Sequence, residues 1–546
     1  MTVFILGAGV MQLPALSLAK ELGWTTVAAD GNPRAPGAGI CDRFYAIDLK
    51  DREGLLAAAL EIGATPATSA SRATSASRRV DAVFTAGTDF SATVAWLAER
   101  LGLPGHSYSA ALAASDKLIM RSRFAASGLP SPRFLECTSV GAALSSPDRE
   151  ELGFPLVVKP ADNMGARGCR MAFDEADLAA ALEVALPLSR SGRAIVEEYV
   201  DGPEFSIDAL VHDGLVEIRG IADRHISFSP YFVELGHTMP SSAEAAIRDE
   251  VIAVFEAGVR SLGLSHGAAK GDMKWSPTRG GPVIGEIAAR LSGGYMSGWT
   301  YPYASGIELT RDALLLAAGL SPEGGRNDRG WSSAERAFIS VPGRIASIEG
   351  LREARNAPYV KDLFLRVAAG DAVVFPSNNV EKCGNVISQA PDRERAVSAA
   401  EEAIRSILLR LEAPDAATAA FIRGAEGKRG FEGSMWPPKA FAVGARIEAA
   451  IEGMAEGRPR SVAEDAPIWV LPLNIAEAAG LRDWSGRNLE ESSHLAMARG
   501  GGSLLPDGAV VEGPVVGRAF WKALVAAGAQ GGLYVLDCIR RGLELP

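Results

Sequence analysis

Apolar runs at 3–7, 25–30, 44–48 and 82–86 read as buried strands, and they alternate with helical periodicity near 11–22, 51–62 and 90–101. That alternation predicts a parallel α/β sheet with right-handed crossovers. The first strand runs into Gly7-Ala8-Gly9-Val10-Met11-Gln12, and the second ends at Asp30. This is the start of a dinucleotide fingerprint with Gln12 where its third glycine would stand, so an NAD-dependent oxidoreductase is one reading of the segment. Between the second helix and the fourth strand, Ala67-Thr68-Ser69-Ala70-Ser71-Arg72 is repeated at once as Ala73-Thr74-Ser75-Ala76-Ser77-Arg78. Small polar residues bury too little apolar surface to order themselves, so 64–79 is expected to be a flexible surface insertion.

Further along, Phe154-Pro155-Leu156-Val157-Val158-Lys159-Pro160 is an apolar run that carries a lysine near its end. A glycine-bearing loop, Asp162 to Gly168, and a second run, Arg170 to Phe173, follow. Strand, loop, strand is the layout of a hinged flap whose amides at Gly165 to Gly168 can meet anionic oxygens, with Lys159 to neutralise them. An ordinary hairpin loop with a solvated lysine is the alternative. Ala194-Ile195-Val196 then leads into Glu197-Glu198-Tyr199-Val200-Asp201-Gly202-Pro203-Glu204. One acid there, beside backbone amides, can read an adenine edge, and another can take ribose hydroxyls; a charged strand end is the plainer reading.

Gly267 to Trp275 and Pro282 to Ala288 predict two strands joined by the turn residues Ser276 to Gly281. A hairpin centred on Arg279 sets Asp272 opposite Glu286, with Cβ atoms roughly 5 Å apart. Two carboxylates that close repel unless a cation lies between them, and hard oxygen ligands favour Mg²⁺ or Mn²⁺. A bulge would shift the register by one and undo the pairing. Alternation puts Lys270, Asp272 and Lys274 on one face with Glu286, Ala288 and Arg290. An exposed hairpin with alternating charges is the alternative.

In this order, Ser115-Asp116-Lys117, Lys159 with its glycine loop, Glu197 to Val200, Gly202-Pro203-Glu204, Asp272 and Glu286-x-x-x-Arg290 resemble the ATP-grasp superfamily over roughly residues 1–412. The similarity is strongest to carbamoyl-phosphate-synthetase-like and L-amino acid ligase-type carboxylate–amine ligases. The resemblance implies Lys117 and Lys159 as phosphate-binding lysines and Gly165, Arg167 and Gly168 as part of the loop that closes over the phosphates. It implies Glu197 as acceptor of the adenine amino group, Glu198 and Val200 as main-chain contacts to adenine, Tyr199 beside the base and Glu204 on the ribose. Asp272 and Glu286 match the magnesium ligands, Arg290 the arginine that steadies the acyl phosphate or its oxyanion, and Lys270 the place where D-alanine ligases carry a catalytic arginine.

The segment between the nucleoside and metal motifs is where the family builds its acceptor pocket. There Arg224 is expected to hold a carboxylate with Glu234 and His237 nearby, and Gly294, after Arg290, to leave room for a bulky group; a structural role is the alternative for His237. Three positions depart from the family pattern. Ala288 stands where a third metal ligand, asparagine, is usual, Asp272 replaces the commoner Glu, and Ala166 replaces a frequent serine.

The implied fold is α/β with α+β lobes: a Rossmann-like domain at 1–115, a two-lobed ATP-grasp domain at 116–330, a small C-terminal α+β lid-like domain at 331–412 with a closing helix over 393–411, and an accessory region at 413–546 with scattered Trp436, Trp469, Trp484 and Trp521. The implied activity is ADP-forming ligation of a small-molecule carboxylate to an amine with ATP and Mg²⁺. A non-catalytic ATP-binding protein stays open because of Ala288.

Composition narrows the alternatives. The chain has 546 residues, enough for three or four domains, and 47% apolar content, enough for well-formed cores. A net charge of −11 argues against nucleic acid as partner. No apolar run is long enough to predict a membrane span, and the first residues read as a strand without the basic start of a signal peptide. Five scattered cysteines form no disulfide framework, and six scattered histidines show no zinc-type spacing. A cytoplasmic location is expected, with a homodimer as the oligomer allowed for.

Overall fold

The computed structural model describes residues 1–64, 79–324, 329–424, 428–429, 435–453, 480–501 and 518–546. The repeat at 67–78 in the expected insertion, and Trp469, lie outside the described residues. Two compact units are present. The first comprises Met1–Ile226, Gly236–Glu335 and Gln389–Ala396, and the second Ser227–Leu235, Arg336–Ser388 and Val397–Pro546.

In the first unit, β1 (Thr2–Leu6), β2 (Thr25–Ala29), β3 (Arg43–Tyr45) and β4 (Ala82–Phe84) form a parallel sheet in the order β3-β2-β1-β4. All five residues of β1 are buried, as both faces of a parallel sheet require. Val3 and Ile5 pack with Leu16 and Leu314 on one side, while Phe4 and Leu6 pack with Leu55 and Leu97 on the other. Helices Leu13–Glu21, Arg52–Ala64 and Ser91–Leu101 match the predicted stretches to within two or three residues.

An antiparallel sheet follows, with β5 (Phe134–Cys137), β6 (Leu156–Pro160), β7 (Arg170–Ala172) and β8 (Ala194–Glu198) in the order β5-β8-β6-β7. Leu178, Ala181, Leu182 and Ala185, at helical spacing in Glu175–Leu188, cover it against Leu156, Val158 and Val196. Next come β9 (Glu204–His212), β10 (Leu215–Ser227), β11 (Val233–Met239), β12 (Gly267–Ser276) and β13 (Gly281–Ala288). Four of these run antiparallel in the order β13-β12-β9-β10. Val251, Phe255 and Val259 of the helix Ala245–Ser261 seal one face of that sheet against Ile284 and Ile287.

In the second unit, Val360–Leu365 pairs antiparallel with Gly384–Ser388, and Gly343–Glu349 lies between Ala372–Val373 and Leu408–Leu411. The helix expected over 393–411 therefore ends at Ser406. Pairing of Leu408–Leu411 with Gly343–Glu349 buries three leucines and overrides the helical tendency of that stretch. Residues beyond 413 enter the same core: Phe441, Ile447, Phe520, Trp521 and Leu533 share one cluster with Val341, Ile345 and Leu409. Among the described residues no helix is long and apolar enough to cross a membrane.

Candidate active site

The β13-β12-β9-β10 sheet sets its charged residues in three cross-strand rows. Lys274, Glu204 and Arg224 are opposed across β12, β9 and β10; Glu286, Asp272 and Ser206 across β13, β12 and β9; Ala288, Lys270 and Asp208 form the third row. Residues directly opposed share a face, so these side chains project together.

Asp272 reaches Glu286 by an unexpected route. The turn Pro277–Gly280 has four residues, which by itself pairs Met273 with Ile284. A bulge between Asp272 and Met273 leaves Gly285 as the extra residue, and beyond it Asp272 faces Glu286. The bulge makes the pairing that it was expected to undo. Only glycine suits the position, because a Cβ on Gly285 would lie 2.7 Å from the Asp272 carbonyl oxygen.

The Gly285 carbonyl accepts from Arg121 Nη2 at 2.5 Å, while Arg121 Nε donates to Glu197 Oε1 at 2.7 Å. Fully buried in the helix Lys117–Ala126, Arg121 ties the strand of the nucleoside motif to the carboxylate hairpin. Its only mark in the sequence is a four-residue spacing from Lys117, which puts the two on one helix face. The second Glu197 oxygen accepts from Lys159 Nζ at 2.5 Å. Burial alone would raise the Glu197 carboxyl, but the Arg121 and Lys159 cations hold it at about 2.

Glu198 and Glu204 of the same motif are also paired with cations, while Asp201 accepts from the Ser276 and Thr278 hydroxyls. Glu198 engages Arg133 and Arg279, and Glu204 takes Arg224 Nη1 at 2.7 Å and Lys274 Nζ at 2.9 Å. Lys274 Nζ donates to the Val200 carbonyl at 2.9 Å and lies 5.4 Å from the centre of the Tyr199 ring. Lys117 Nζ donates to the Asn163 carbonyl at 2.6 Å and stands 4.0 Å from Glu286 Oε2. The loop after β6 and the carboxylate hairpin thus converge on one ammonium. In that loop Gly165, Ala166 and Gly168 all have positive φ, and Arg167 Nε donates back to the Met164 carbonyl at 3.0 Å.

Asp272 accepts from Ser206 Oγ at 3.0 Å and from Lys270, with Arg224 Nε 3.7 Å away. His237 Nε2 lies 3.4 Å from the Ser206 hydroxyl and His237 Nδ1 lies 3.0 Å from Glu335 Oε2. A polar chain from buried Glu335 through His237 and Ser206 therefore supports Asp272. No sequence period links Ser206 to Glu335, so neither stands out in the primary structure. Burial raises the Glu286 carboxyl, yet Lys117, Lys270 and Arg290 outweigh it and hold the group below its ordinary value.

Arg290 donates from Nε to the Thr88 carbonyl and from Nη1 to the Leu291 carbonyl, each at 2.9 Å. Gly294 and Tyr295 both turn through positive φ into the π-helix Met296–Thr300. Glu234 belongs to the second unit, where its amide donates to Asn379 and its carbonyl accepts from Lys382. Asp208, absent from the sequence motifs, is fully buried in the third row of this face. Its Oδ1 accepts the Ser292 N–H and O–H at 2.9 Å, and its Oδ2 lacks a hydrogen-bond partner. Burial pushes the Asp208 carboxyl up to about 6, against Ser292, Lys270 and Arg290.

Two opposed carboxylates, to which Lys117, Lys270 and Arg224 are already drawn, make an all-oxygen donor set that fits Mg²⁺ or Mn²⁺. The Ala288 side chain offers no ligand atom, so an ion held by the two carboxylates would draw its remaining ligands from elsewhere. In the β1 loop a Cβ on Gly7 would meet the Gln12 side chain at 3.0 Å, and Gln12 also donates to the Ala86 carbonyl. Asp30 accepts from the Ala8 amide at 2.8 Å. Gln12 and Asp30 of the partial dinucleotide fingerprint thus bond to the backbone around the loop.

Comparison with known proteins places this geometry. Residues 152–297 match the ATP-grasp domain and residues 337–412 match the L-amino acid ligase C-terminal domain 2. An uncharacterized protein of Sinorhizobium fredii is 28% identical over 329 residues, covering 60% of this chain and 67% of that one. Carnosine synthase 1 of Gallus gallus is 27% identical over 344 residues, covering 59% of this chain and 35% of its own length. The chain thus spans about two thirds of one curated relative and about a third of the other. The crystal structure of L-amino acid ligase from Bacillus licheniformis superimposes with a TM-score of 0.63 at 21% identity, covering 75% of this chain and 98% of that one. The chain thus carries a segment similar to the ATP-grasp domain followed by one similar to the L-amino acid ligase C-terminal domain 2.

Proposed function

We propose that this protein is an ADP-forming carboxylate–amine ligase, acting in the cytoplasm on small molecules. The observation that carries the reading is the bulged hairpin, which opposes Asp272 and Glu286 beside Lys117 and in the row next to Glu204. In this reading Lys117, Lys159 and the loop around Gly165, Arg167 and Gly168 take the phosphates. Glu197, the Glu198 and Val200 backbone, Tyr199 and Glu204 hold the nucleoside. Mg²⁺ held by Asp272 and Glu286 would offset the charge of the β- and γ-phosphates.

A substrate carboxylate attacks the γ-phosphorus, the bond to the β-bridging oxygen breaks, and ADP leaves. An amine then attacks the acyl carbon, phosphate departs with the C–O bonding pair, and the ammonium proton is lost to solvent. In this reading Arg290 and Lys270 steady the oxyanion of that second step. Arg224, His237 and Gly294 of the first unit are the positions we assign to acceptor recognition.

The test is a screen of paired carboxylates and amines for ADP release, with hydroxylamine to trap the activated acid and mass detection of new amides. Release that depends on the carboxylate, together with a trapped hydroxamate, is the expected result. ATP binding without turnover across the screen would favour a non-catalytic nucleotide-binding protein. Glu286→Gln is expected to abolish turnover while nucleotide binding survives. The homodimer is tested by light scattering on the full chain.

A further inference from the structure

On a different part of the first unit from the Asp272–Glu286 pair, His212, Asp213 and His266 bring one potential ligand atom each within 4.8 Å of one another. We propose that they form a second metal site, for a borderline transition ion of the Zn²⁺ class. Three observations carry this.

Backbone pairing is the first. Val211 of β9 is paired with Gly267 of β12, and His212 and His266 are the residues that adjoin this last pair of the ladder. The Gly214 amide donates to the Ser265 carbonyl at 3.0 Å, which holds the hairpin turn against the entry to β12. Cross-strand neighbours have Cβ atoms roughly 5 Å apart, close enough for two imidazoles to share an ion. The rings lie 5.5 Å apart between centroids.

Ring orientation is the second. His266 Nε2 lies 3.0 Å from the Leu316 carbonyl, which can only accept. The Nε2 proton is therefore committed, and Nδ1 carries the lone pair. A backbone carbonyl that fixes the tautomer through the far ring nitrogen is the usual support of a metal-binding imidazole.

The third is the carboxylate. Asp213 sits at a φ of 50°, in the turn Asp213-Gly214, with its Oδ2 3.8 Å from His212 Nδ1. Tetrahedral ligands at about 2.1 Å from zinc stand roughly 3.4 Å from each other. His212 and Asp213 are exposed, so small rotations about their side-chain bonds reach that separation. Nitrogen donors select Zn²⁺, Ni²⁺, Cu²⁺ or Co²⁺ over Mg²⁺, which separates this site chemically from the all-oxygen pair. An ion there would clip the β9–β10 turn to the start of β12, the strand that carries Lys270 and Asp272. Far apart in the chain and without zinc-type spacing, the two histidines are brought together only by the antiparallel register.

The test uses the full chain in excess Mg²⁺, which occupies oxygen sites. Zn²⁺ is titrated by calorimetry, and Zn²⁺-soaked crystals are examined by anomalous scattering. One binding event of micromolar strength, an anomalous peak within bonding distance of His266 Nδ1, and loss of one equivalent in H212A/H266A are expected. H266A alone is expected to weaken binding by roughly tenfold or more. Unchanged stoichiometry in the double variant, binding only at millimolar Zn²⁺, or a peak confined to Asp272 and Glu286 would each overturn the proposal. Ligase activity enters none of these readouts, so failure here and failure of the ligase reading are distinguishable.

Discussion

Replacing Arg121 by methionine tests whether one buried side chain couples the nucleoside strand to the carboxylate hairpin. Arg121 has no exposed surface and bridges Glu197 Oε1 to the Gly285 carbonyl. Its removal leaves Glu197, itself 1% exposed, with Lys159 as its only close cation among the described residues, and strips the bulge of a donor. Breaking one side of a buried ion pair costs about 3–5 kcal/mol. Proton linkage gives a second route to the magnitude. A carboxyl held at about 2 instead of its ordinary 4.5 contributes about 3 kcal/mol at neutral pH, for Arg121 and Lys159 together. That contribution is complete above the unfolded value and is lost as pH falls from 4.5 towards 2. R121M is therefore expected to lose about 2–4 kcal/mol in urea denaturation at pH 7 and to begin acid unfolding at a higher pH than wild type. E197Q strands both Arg121 and Lys159 without their anion, whereas R121M/E197Q strands Lys159 alone, so the double variant should lose clearly less than the sum of the two singles. An R121M chain within about 0.5 kcal/mol of wild type, a change typical of surface sites, with an unshifted acid transition would refute the coupling.

Gly285→Ala puts a methyl group against the Asp272 carbonyl oxygen; a cost of about 1–3 kcal/mol is expected, with turnover falling far more than thermal stability and a higher Mg²⁺ requirement. Asp208→Asn removes a carboxyl that burial holds at about 6. Because that value is raised above the unfolded one, the wild-type chain loses stability as pH rises from about 4 through 6. Urea denaturation across that range should show a flatter profile in D208N. Glu204→Gln leaves Lys274 and Arg224 without their shared anion; steady-state kinetics should show a higher KM for ATP with a smaller change in kcat.

What could be read from the chain alone follows from where each kind of information is stored. The β1 to β4 alternation was legible because burial on both faces of a parallel sheet writes short apolar runs, and Val3 to Leu6 is such a run. Lys159, Glu197 and Glu204 stood out because each sits in a short run of recognisable residues, although the partners the structure gives them lie on distant segments. Arg121, Asp208, Ser206 and Glu335 sit in no such run, and only the fold shows what they touch. The end of the helix at Ser406 was misjudged for the same reason: Leu408–Leu411 is a strand only because Gly343–Glu349 lies beside it.

Asp272 and Glu286 show how a correct pairing can rest on a wrong premise. A symmetric hairpin centred on Arg279 and a shorter turn followed by a bulge place the same two residues face to face. They differ at Gly285, which the symmetric hairpin would pair with Met273 and the bulged one leaves out of the ladder. The difference has consequences for the chemistry. An unbulged strand is held by its own ladder, whereas a bulged residue needs an outside partner, and here that partner is Arg121. The register of the two acids therefore depends on a guanidinium whose other bond is to the nucleoside motif. In R121K a lysine can reach Glu197 or Gly285 but has no planar fork to serve both. If the coupling holds, R121K should keep most of the lost stability yet recover little Mg²⁺-dependent turnover, and full recovery of both would separate the hairpin register from Arg121.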